Sequence, residues 1–303
     1  MKNIGTIGFI GVGVMGEPMC RHLAEKSGVS VLAYDNDPAP LERLAATGVR
    51  SASLADIALE CDLIFLSLPS GEIVEQVMLD DKAGLVGRLR AGQIVVDLST
   101  SPYATAIKLA QTLTRLGVSC ADAPVMRTRA AAQAGTLAVP VGADEETFNL
   151  IQPYIRCFAS DVMHVGSYGA GQVVKILNNM VVYETVLALA EARAIGVRVG
   201  LDPDRLFAAF AAGSADSFAL RNQGMKAIAP QVFPEKAFPA TYARKDLMYA
   251  VALGEQVGVD ARGAKNLVAC FDDIIAAGLG EKYAPVISLL FEGVAQEKGD
   301  RHG

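Results

Sequence analysis

One cation stands in an otherwise apolar stretch of the chain, with two amides close behind it. Asn178 and Asn179 follow Lys175 at three and four residues, a spacing that places all three on one face of a helix. Because a buried amine or amide costs free energy unless it finds a partner, we expect this face to line a polar site. A lysine in apolar surroundings can act as general acid or base toward a hydroxyl group. The alternative is that Lys175 extends to the surface along its methylene stem.

A second constellation lies near the N-terminus, where the spacing GxGxxG connects a predicted strand to a predicted helix. Gly11 allows the tight turn, Gly13 lets the backbone approach a pyrophosphate, and Gly16 lets helix and strand pack closely. The N–H groups of Val14 and Met15 would then lie at the start of the helix, where the partial positive charge attracts phosphate. The pattern indicates a dinucleotide site.

An acidic residue is expected at the end of the second strand, about 20 residues after the glycine turn. Asp35 stands at this position, and its carboxylate would accept hydrogen bonds from the hydroxyls of the adenosine ribose. The same charge would repel a 2′-phosphate, and no arginine follows it within the next three residues. The sequence therefore predicts NAD rather than NADP, unless Asp35 serves only as a turn residue.

Short β-branched runs alternate with helical segments in the first half of the chain, which is typical of a doubly wound parallel sheet. The predicted strands are Ile4–Ile10, Val29–Tyr34, Asp62–Ser67, Ile94–Asp97, Val118–Asp122, Leu137–Val141 and Val162–His164. The predicted helices between them begin near Val14, Pro38, Gly71, Ala104 and Glu145. We predict an α/β Rossmann domain over residues 1–165.

The second half of the chain is predicted to be all-α, over residues 166–303. It opens with a long helix from Gly169 to about Val199, apolar almost all round, which predicts a buried helix. Lys175, Asn178, Asn179 and Glu184 interrupt this helix too often for a membrane span. Shorter helices are predicted at 203–212, 242–257, 263–277 and 283–295, before a polar tail at 296–303 that we expect to be frayed.

The bulk composition excludes several classes of protein. The formal charge of the 303 residues is −6 and no basic block stands out, which argues against nucleic-acid binding. The five cysteines show no metal-ligand or disulfide spacing, so no metal site is predicted. No signal-peptide pattern or membrane span is recognised, so we expect a cytoplasmic protein. The large apolar area of the second half favours a homodimer or homotetramer.

Further motifs occur in order along nearly the whole chain. They are Leu68-Pro69-Ser70, Asp97-Leu98-Ser99-Thr100, Asp122-Ala123-Pro124-Val125, Gly135-Thr136-Leu137, Gly171…Lys175…Asn179 and Lys245-Asp246-Leu247. With the glycine turn they make the sequence similar to the β-hydroxyacid dehydrogenases, the group that contains 3-hydroxyisobutyrate dehydrogenase, tartronate semialdehyde reductase and sulfolactaldehyde reductase. The resemblance implies hydride transfer between NAD(H) and a small anionic β-hydroxy acid or its semialdehyde.

The resemblance also implies roles for individual residues. Lys175 would be the general acid/base, Asn179 would orient it or the substrate, and Asn178 would contact the substrate. On the cofactor side, the residues implied are Leu68 and Pro69 near the adenosine, Thr100 near the nicotinamide, and Lys245. The site would lie between a Rossmann domain and an all-α domain opened by a long interdomain helix.

The chain departs from the family after Pro124-Val125. Most relatives continue Ser-Gly-Gly, whereas this chain continues Met126-Arg127-Thr128. An arginine offers a planar fork of donors for an anion, so Arg127 and Thr128 are predicted to bind the acidic group of the substrate. The sulfolactaldehyde reductase branch resembles this chain here, which keeps a sulfonate open as well as a carboxylate, but that branch has a serine where this chain has Val182.

Other functions of the same fold remain as alternatives. Imine reductases usually lack the lysine that Lys175 matches, and 6-phosphogluconate dehydrogenases have a much longer C-terminal domain. A non-catalytic dinucleotide-binding module is a more remote alternative, which the presence of Lys175 disfavours.

Overall fold

The computed structural model describes residues 4–80, 83–235 and 237–292. The chain divides into two compact units, Met1–Lys175 and Ile176–Gly303. The division falls within a single long helix, since that helix begins at Ala170 and ends at Arg198. The predicted domain boundary at residue 165 stays a prediction.

The first unit is built on one sheet of eight strands. The strands are β1 Thr6–Ile10, β2 Ser30–Tyr34, β3 Arg50–Ser51, β4 Leu63–Leu66, β5 Ile94–Asp97, β6 Ser119–Asp122, β7 Leu137–Gly142 and β8 Ala159–Gly166. Their order is β3-β2-β1-β4-β5-β6-β7-β8, and β1 to β6 are parallel. The order reverses between β1 and β4, which is the point where doubly wound sheets bind their ligands. The predicted α/β class and Rossmann topology are confirmed.

In the described part of the first unit, seven α-helices accompany these strands. They are α1 Gly16–Lys26, α2 Pro38–Ala45, α3 Leu54–Glu60, α4 Gly71–Leu79, α5 Tyr103–Arg115, α6 Arg129–Ala134 and α7 Glu145–Ile155, with a short 3₁₀ turn at Leu85–Arg88. Neither α3 nor the two-residue edge strand β3 was predicted. The start of α3 does carry a local signal, because Ser53 and Asp56 form a reciprocal capping box.

Both faces of the sheet are buried, as expected of a parallel sheet. Phe9, Phe65 and Val96 point to one face, whereas Ile64 and Val95 point to the other. The Phe9 and Phe65 rings pack with their centroids 6.0 Å apart. This alternation follows from the two-residue period of a strand, and it makes the sheet a rigid base for the loops at its edge.

The expectation that the sheet is parallel throughout is wrong at β7. This strand is antiparallel to β6, and β8 is parallel to β7. The reason lies in the segment after β6, which stays extended and folds back, so that Met126 forms an antiparallel bridge with Ala138. The last two strands therefore run opposite to the first six.

The second unit is helical. After α8, Ala170–Arg198, it contains α9 Pro203–Ala212, a π-helical segment Leu220–Ile228, α10 Ala240–Gln256, α11 Arg262–Ala276 and a 3₁₀ segment Ala284–Phe291. The predicted helices at 203–212, 242–257 and 263–277 are confirmed within two residues at each end, whereas the π-helical segment was not predicted. The predicted end of the last helix at 295 and the predicted frayed tail lie outside the described residues.

The prediction that the long helix is buried on all sides is wrong. Ile176, Val186 and Leu189 belong to the core of the second unit, but Leu177, Val181 and Ile195 are exposed by 41%, 56% and 65%. Among the described residues, α8 is the one helix long and apolar enough to cross a membrane, which is weak evidence because core helices of soluble proteins pass the same test. Its outer apolar stripe is a surface that the second unit does not cover by itself.

Candidate active site

The glycine turn connects β1 to α1 in a conformation that requires two of its glycines. Gly11 has φ +93°, and a Cβ there would lie 2.3 Å from the carbonyl oxygen of Ser67. A Cβ on Gly16 would lie 2.0 Å from the carbonyl oxygen of Gly11. At Gly13, by contrast, a Cβ would meet no described atom within 4 Å. Gly11 and Gly16 therefore hold the turn, whereas the backbone at Gly13 borders open space.

The start of α1 provides backbone donors for an anion. Met15 is the N-cap residue and its side chain makes no capping hydrogen bond. The acidic residue in the first turn, Glu17, is bound by Arg43 through two hydrogen bonds of 2.7 Å, which lower the pKa of its carboxyl. The Glu17 N–H already donates to the Gly13 carbonyl at 2.9 Å and Pro18 has no N–H, so the backbone of the glycine turn before α1, together with the helix dipole, is what the site offers a phosphate.

Asp35 lies beside the glycine turn. One of its carboxylate oxygens accepts the Val12 N–H at 2.7 Å and the other accepts the Asp37 N–H at 2.9 Å. These bonds fix the carboxylate directly after β2. Since a carboxylate has about four acceptor positions, Asp35 retains capacity for ribose hydroxyls. The turn, the start of α1 and Asp35 together fit a dinucleotide.

The loops after β4 and β5 are joined at the same edge of the sheet. The hydroxyl of Ser99 accepts the Leu68 N–H at 2.9 Å, and the carboxylate of Asp97 binds the Ser99 N–H and the Ser101 hydroxyl. Burial raises the pKa of Asp97 to about 6. The two loops that carry Leu68, Pro69 and Thr100 are therefore held in a fixed relation to each other.

The carboxylate of Asp122, the last residue of β6, receives the first turn of α8. It accepts the Gly169 and Gln172 N–H groups, both at 2.6 Å. Burial raises the pKa of Asp122 to about 7. The Gln172 side chain, fully buried, bonds in turn to the backbone of Ser99 and Ser101. Sequence reasoning used Asp122 only as a family motif and overlooked Gln172.

Lys175 is half-buried, one turn after Gln172 on α8. The continuous helix carries Asn178 and Asn179 at the predicted three- and four-residue spacings. Asn179 is buried and donates a hydrogen bond of 2.7 Å to the Asp246 carboxylate, while the Asn178 side chain donates to the side-chain oxygen Oδ1 of Asn179 at 3.2 Å. Asp246, which no sequence argument singled out by itself, fixes the rotamer of Asn179.

Lys245 shares the carboxylate of Asp246. Its ammonium lies 3.1 Å from the oxygen that Asn179 does not use. It also lies over the rings of Tyr242 and Tyr249, at 5.6 and 5.0 Å from their centroids, a cation–π arrangement. In the second unit, one buried carboxylate thus orders two residues for which sequence reasoning predicted a function.

Arg127 follows Met126 with φ +81°, a conformation that glycine prefers. Its guanidinium donates to the Thr136 carbonyl at 2.6 Å, the Ser160 hydroxyl at 2.9 Å and the Asp161 carboxylate at 2.8 Å. The bonds from Ser160 and Arg127 lower the pKa of Asp161. Here protein groups occupy the donors that were predicted to bind a substrate anion.

Thr128 is also engaged by the protein itself. Its hydroxyl caps α6, accepting the Ala131 N–H at 3.4 Å. Within residues 4–80, 83–235 and 237–292, no group of three or more His, Cys, Asp or Glu side chains is placed to hold a metal ion.

Comparison with known proteins agrees with this geometry. Residues 6–166 match the family described as the NAD binding domain of 6-phosphogluconate dehydrogenase, and residues 169–289 match that described as NAD-binding of NADP-dependent 3-hydroxyisobutyrate dehydrogenase. Among curated proteins, 2-(hydroxymethyl)glutarate dehydrogenase of Eubacterium barkeri is 34% identical over 96% of each chain. The 3-hydroxyisobutyrate dehydrogenase of Pseudomonas aeruginosa is 36% identical over 71% of this chain and 72% of its own.

A solved structure leads to the same family. It is described as 3-hydroxyisobutyrate dehydrogenase of Mycobacterium tuberculosis with L-serine, and it superposes with a TM-score of 0.85 at 27% identity, covering 95% of this chain and 99% of that one. The chain therefore belongs to the β-hydroxyacid dehydrogenase family and is an NAD-dependent hydroxyacid dehydrogenase of the 3-hydroxyisobutyrate dehydrogenase type.

Proposed function

We propose that this enzyme oxidises a small anionic β-hydroxy acid, or reduces the corresponding semialdehyde, with Lys175 as the general acid/base. The observation that carries the proposal is the position of Lys175, half-buried one turn after the buried residue Gln172, whose amide bonds to both neighbours of Thr100. Bound NAD would supply the acceptor for the hydride of the carbinol carbon. The residues of the chain must then remove the proton from the carbinol oxygen.

The amide pair on α8 supports this assignment. Asn179 is fixed by the buried carboxylate of Asp246, so its amide would be held in one orientation toward Lys175 or the substrate. Asn178 is exposed and its side chain bonds to the side chain of Asn179, so it is better suited to contact a substrate that binds and leaves. We assign Lys245 to the cofactor side on the family resemblance, and its ammonium is ordered there by Asp246 and two tyrosine rings.

We propose that Arg127 binds the acidic group of the substrate in exchange for Asp161. Both side chains are partly exposed, 37% and 52%, so an ion pair between them is weak and can be replaced by another anion. The names of the relatives support a carboxylate, since one acts on 3-hydroxyisobutyrate and another on 2-(hydroxymethyl)glutarate. A sulfonate remains the second candidate, because Arg127 and Thr128 stand where the sulfolactaldehyde branch has them.

We propose NAD as the preferred cofactor. Asp35 is fixed beside Val12, where its charge favours two ribose hydroxyls and disfavours a 2′-phosphate. One of the matching families is named as NADP-dependent, so the ratio of kcat/KM for NAD and NADP is the quantity that tests the cofactor preference.

We also propose that the protein is a cytoplasmic homo-oligomer, dimer or tetramer. Leu177, Val181 and Ile195 form an apolar stripe on α8, and Val199 and Leu201 beyond its end are exposed as well. A stripe of this kind is commonly covered by another protein surface. The polar residues Lys175, Asn178 and Asn179 on the same helix favour a soluble protein over a membrane span.

The lysine assignment predicts a large loss of turnover in Lys175→Ala. We expect kcat to fall by about 10²- to 10⁴-fold, as for loss of a general acid/base, while NADH binding measured by fluorescence stays near that of wild type. Lys108→Ala is a suitable control, because Lys108 is an exposed lysine of the first unit paired with Glu75. Retained turnover in Lys175→Ala would refute the role of the lysine.

The cofactor assignment predicts that kcat/KM is higher with NAD than with NADP. Replacing Asp35 by Asn removes the negative charge at constant size, so the preference should narrow by about tenfold for each 1.4 kcal/mol of repulsion removed. Asp37→Asn is the control. Asp37 lies two residues after Asp35, and its carboxylate caps α2. A wild-type preference for NADPH in steady-state kinetics would overturn the assignment.

The assignment of Arg127 predicts that Arg127→Met raises KM for 3-hydroxyisobutyrate or 2-(hydroxymethyl)glutarate more than it lowers kcat. Loss of a charge-assisted hydrogen bond of about 1.5–3 kcal/mol corresponds to roughly 10- to 100-fold in KM. Asp161→Asn should lower KM, because it frees the guanidinium. Arg129→Met serves as the control, since Arg129 lies two residues further on, at the start of α6. If KM is unchanged in Arg127→Met, Arg127 stabilises the loop but does not bind the acidic group of the substrate.

The oligomer proposal predicts that light scattering after size exclusion gives the mass of a dimer or tetramer. Ile195→Glu, which places a charge in the apolar stripe, should shift the protein toward monomer. Leu59→Glu is the matched control, because Leu59 is an equally exposed apolar residue on α3 of the first unit. A monomeric wild type would contradict the proposal.

A further inference from the structure

Gln172 is a fully buried polar residue that bonds to the loop carrying Thr100 and precedes Lys175 on α8 by three residues. Its side-chain amide bridges the loop after β5, since the carbonyl oxygen accepts the Ser101 N–H at 3.0 Å and the amino group donates to the Ser99 carbonyl at 2.8 Å. Thr100 stands between these two residues. The amide therefore fixes the backbone on both sides of Thr100, the residue that the family resemblance implies near the nicotinamide.

The backbone of Gln172 is fixed independently of its side chain. Its N–H donates to the Asp122 carboxylate at 2.6 Å, next to the bond from the Gly169 N–H to the same carboxylate. The first turn of α8 thus cannot slide along its axis without breaking charge-assisted hydrogen bonds. Gln172 is anchored to the sheet through its main chain and to the Thr100 loop through its side chain.

Lys175 follows Gln172 by three residues, and this spacing places both side chains on one face of α8. We propose that Gln172 is a positioning residue for the reaction, one that sets the separation between the Thr100 loop and the Lys175 ammonium. This proposal rests on the assignment of Lys175 as the acid/base. A rigid link of one helical turn between a cofactor loop and a proton-transfer group gives the pre-organised geometry that such a reaction needs.

The chain provides a matched control for a purely structural role. Gln93 is also fully buried in the first unit, and its amide likewise bridges backbone groups, donating to the Ala58 and Cys61 carbonyls and accepting the Arg90 N–H. None of these partners belongs to the proposed site. If buried glutamine bridges only stabilise the fold, Gln93 and Gln172 should respond alike to the same substitution.

The experiment compares Gln172→Met and Gln93→Met with wild type. Methionine has a similar length but can form neither backbone bond, so both variants should lose thermal stability to a similar extent. We expect kcat per folded enzyme with 3-hydroxyisobutyrate or 2-(hydroxymethyl)glutarate to fall by about 100-fold in Gln172→Met, the cost of a displacement of about 1 Å. The isotope effect from a deuterated carbinol carbon should rise. In Gln93→Met both quantities should stay near wild type.

A second measurement does not need a turnover substrate. The rate at which acetic anhydride modifies Lys175 is followed by peptide mass spectrometry, with and without NADH. We expect NADH to protect Lys175 in the wild type and in Gln93→Met, and to protect it much less in Gln172→Met. Gln172→Glu, which keeps the acceptor for the Ser101 N–H but loses the donor to Ser99, provides the same test if the methionine variant does not fold.

The outcomes separate the two proposals. Equal kcat values and equal protection in Gln172→Met and Gln93→Met would overturn the positioning role, even where Lys175→Ala is inactive. Full turnover in Lys175→Ala would instead overturn the acid/base assignment itself.

Discussion

The hydrogen bonds from the start of α8 to the buried carboxylate of Asp122 are the interaction on which the rest of the site depends. A carboxylate out of water is costly unless its oxygens are satisfied. Here one oxygen accepts the N–H of Gly169, directly before α8, and the other accepts the N–H of Gln172 in its first turn, both at 2.6 Å. The positive end of the helix dipole favours the charge, although burial still raises the pKa of Asp122 to about 7. In return the first turn of α8 is fixed to the end of β6. Lys175, which lies one turn further along the helix within the same unit, takes its position from this anchor.

The two helix starts at the edge of the sheet have opposite roles for a clear physical reason. The start of α8 is closed by a carboxylate of the protein, so its N–H groups hold the fold together. The start of α1 has no side-chain cap, and the backbone at Gly13 borders open space, so the turn that leads into α1 can accommodate a phosphate. The same backbone chemistry supports the architecture at one helix and favours ligand binding at the other. Asp35 adds to this difference, since it fixes the turn through Val12.

The same arrangement occurs in the second unit and at the loop after β6, where one carboxylate orders two side chains that bond to it. Asp246 holds Asn179 through one oxygen and Lys245 through the other, and Asp161 holds Arg127 together with Ser160. The two carboxylates differ in burial, because Asp246 is buried whereas Asp161 is about half exposed. A buried ion pair is expensive to break, but an exposed one exchanges readily with other anions. This difference favours a fixed arrangement around Asn179 and an adjustable one around Arg127.

The sequence by itself determined the features that depend on local periodicity and on single residue types. It predicted the glycine turn, Asp35 after β2, the helical spacing of Lys175 with the asparagines, and most strands and helices. Two early expectations were wrong because neighbours in space decided them: β7 reverses where Met126 folds back onto Ala138, and α8 leaves Val181 exposed. The partners of the functional residues lie far away in the sequence, with Asp246 67 residues from Asn179 and Gln172 more than 70 from Ser99. Only the tertiary structure could reveal them, because a hydrogen bond requires proximity in space, and periodicity along the chain carries no information about which distant groups come together.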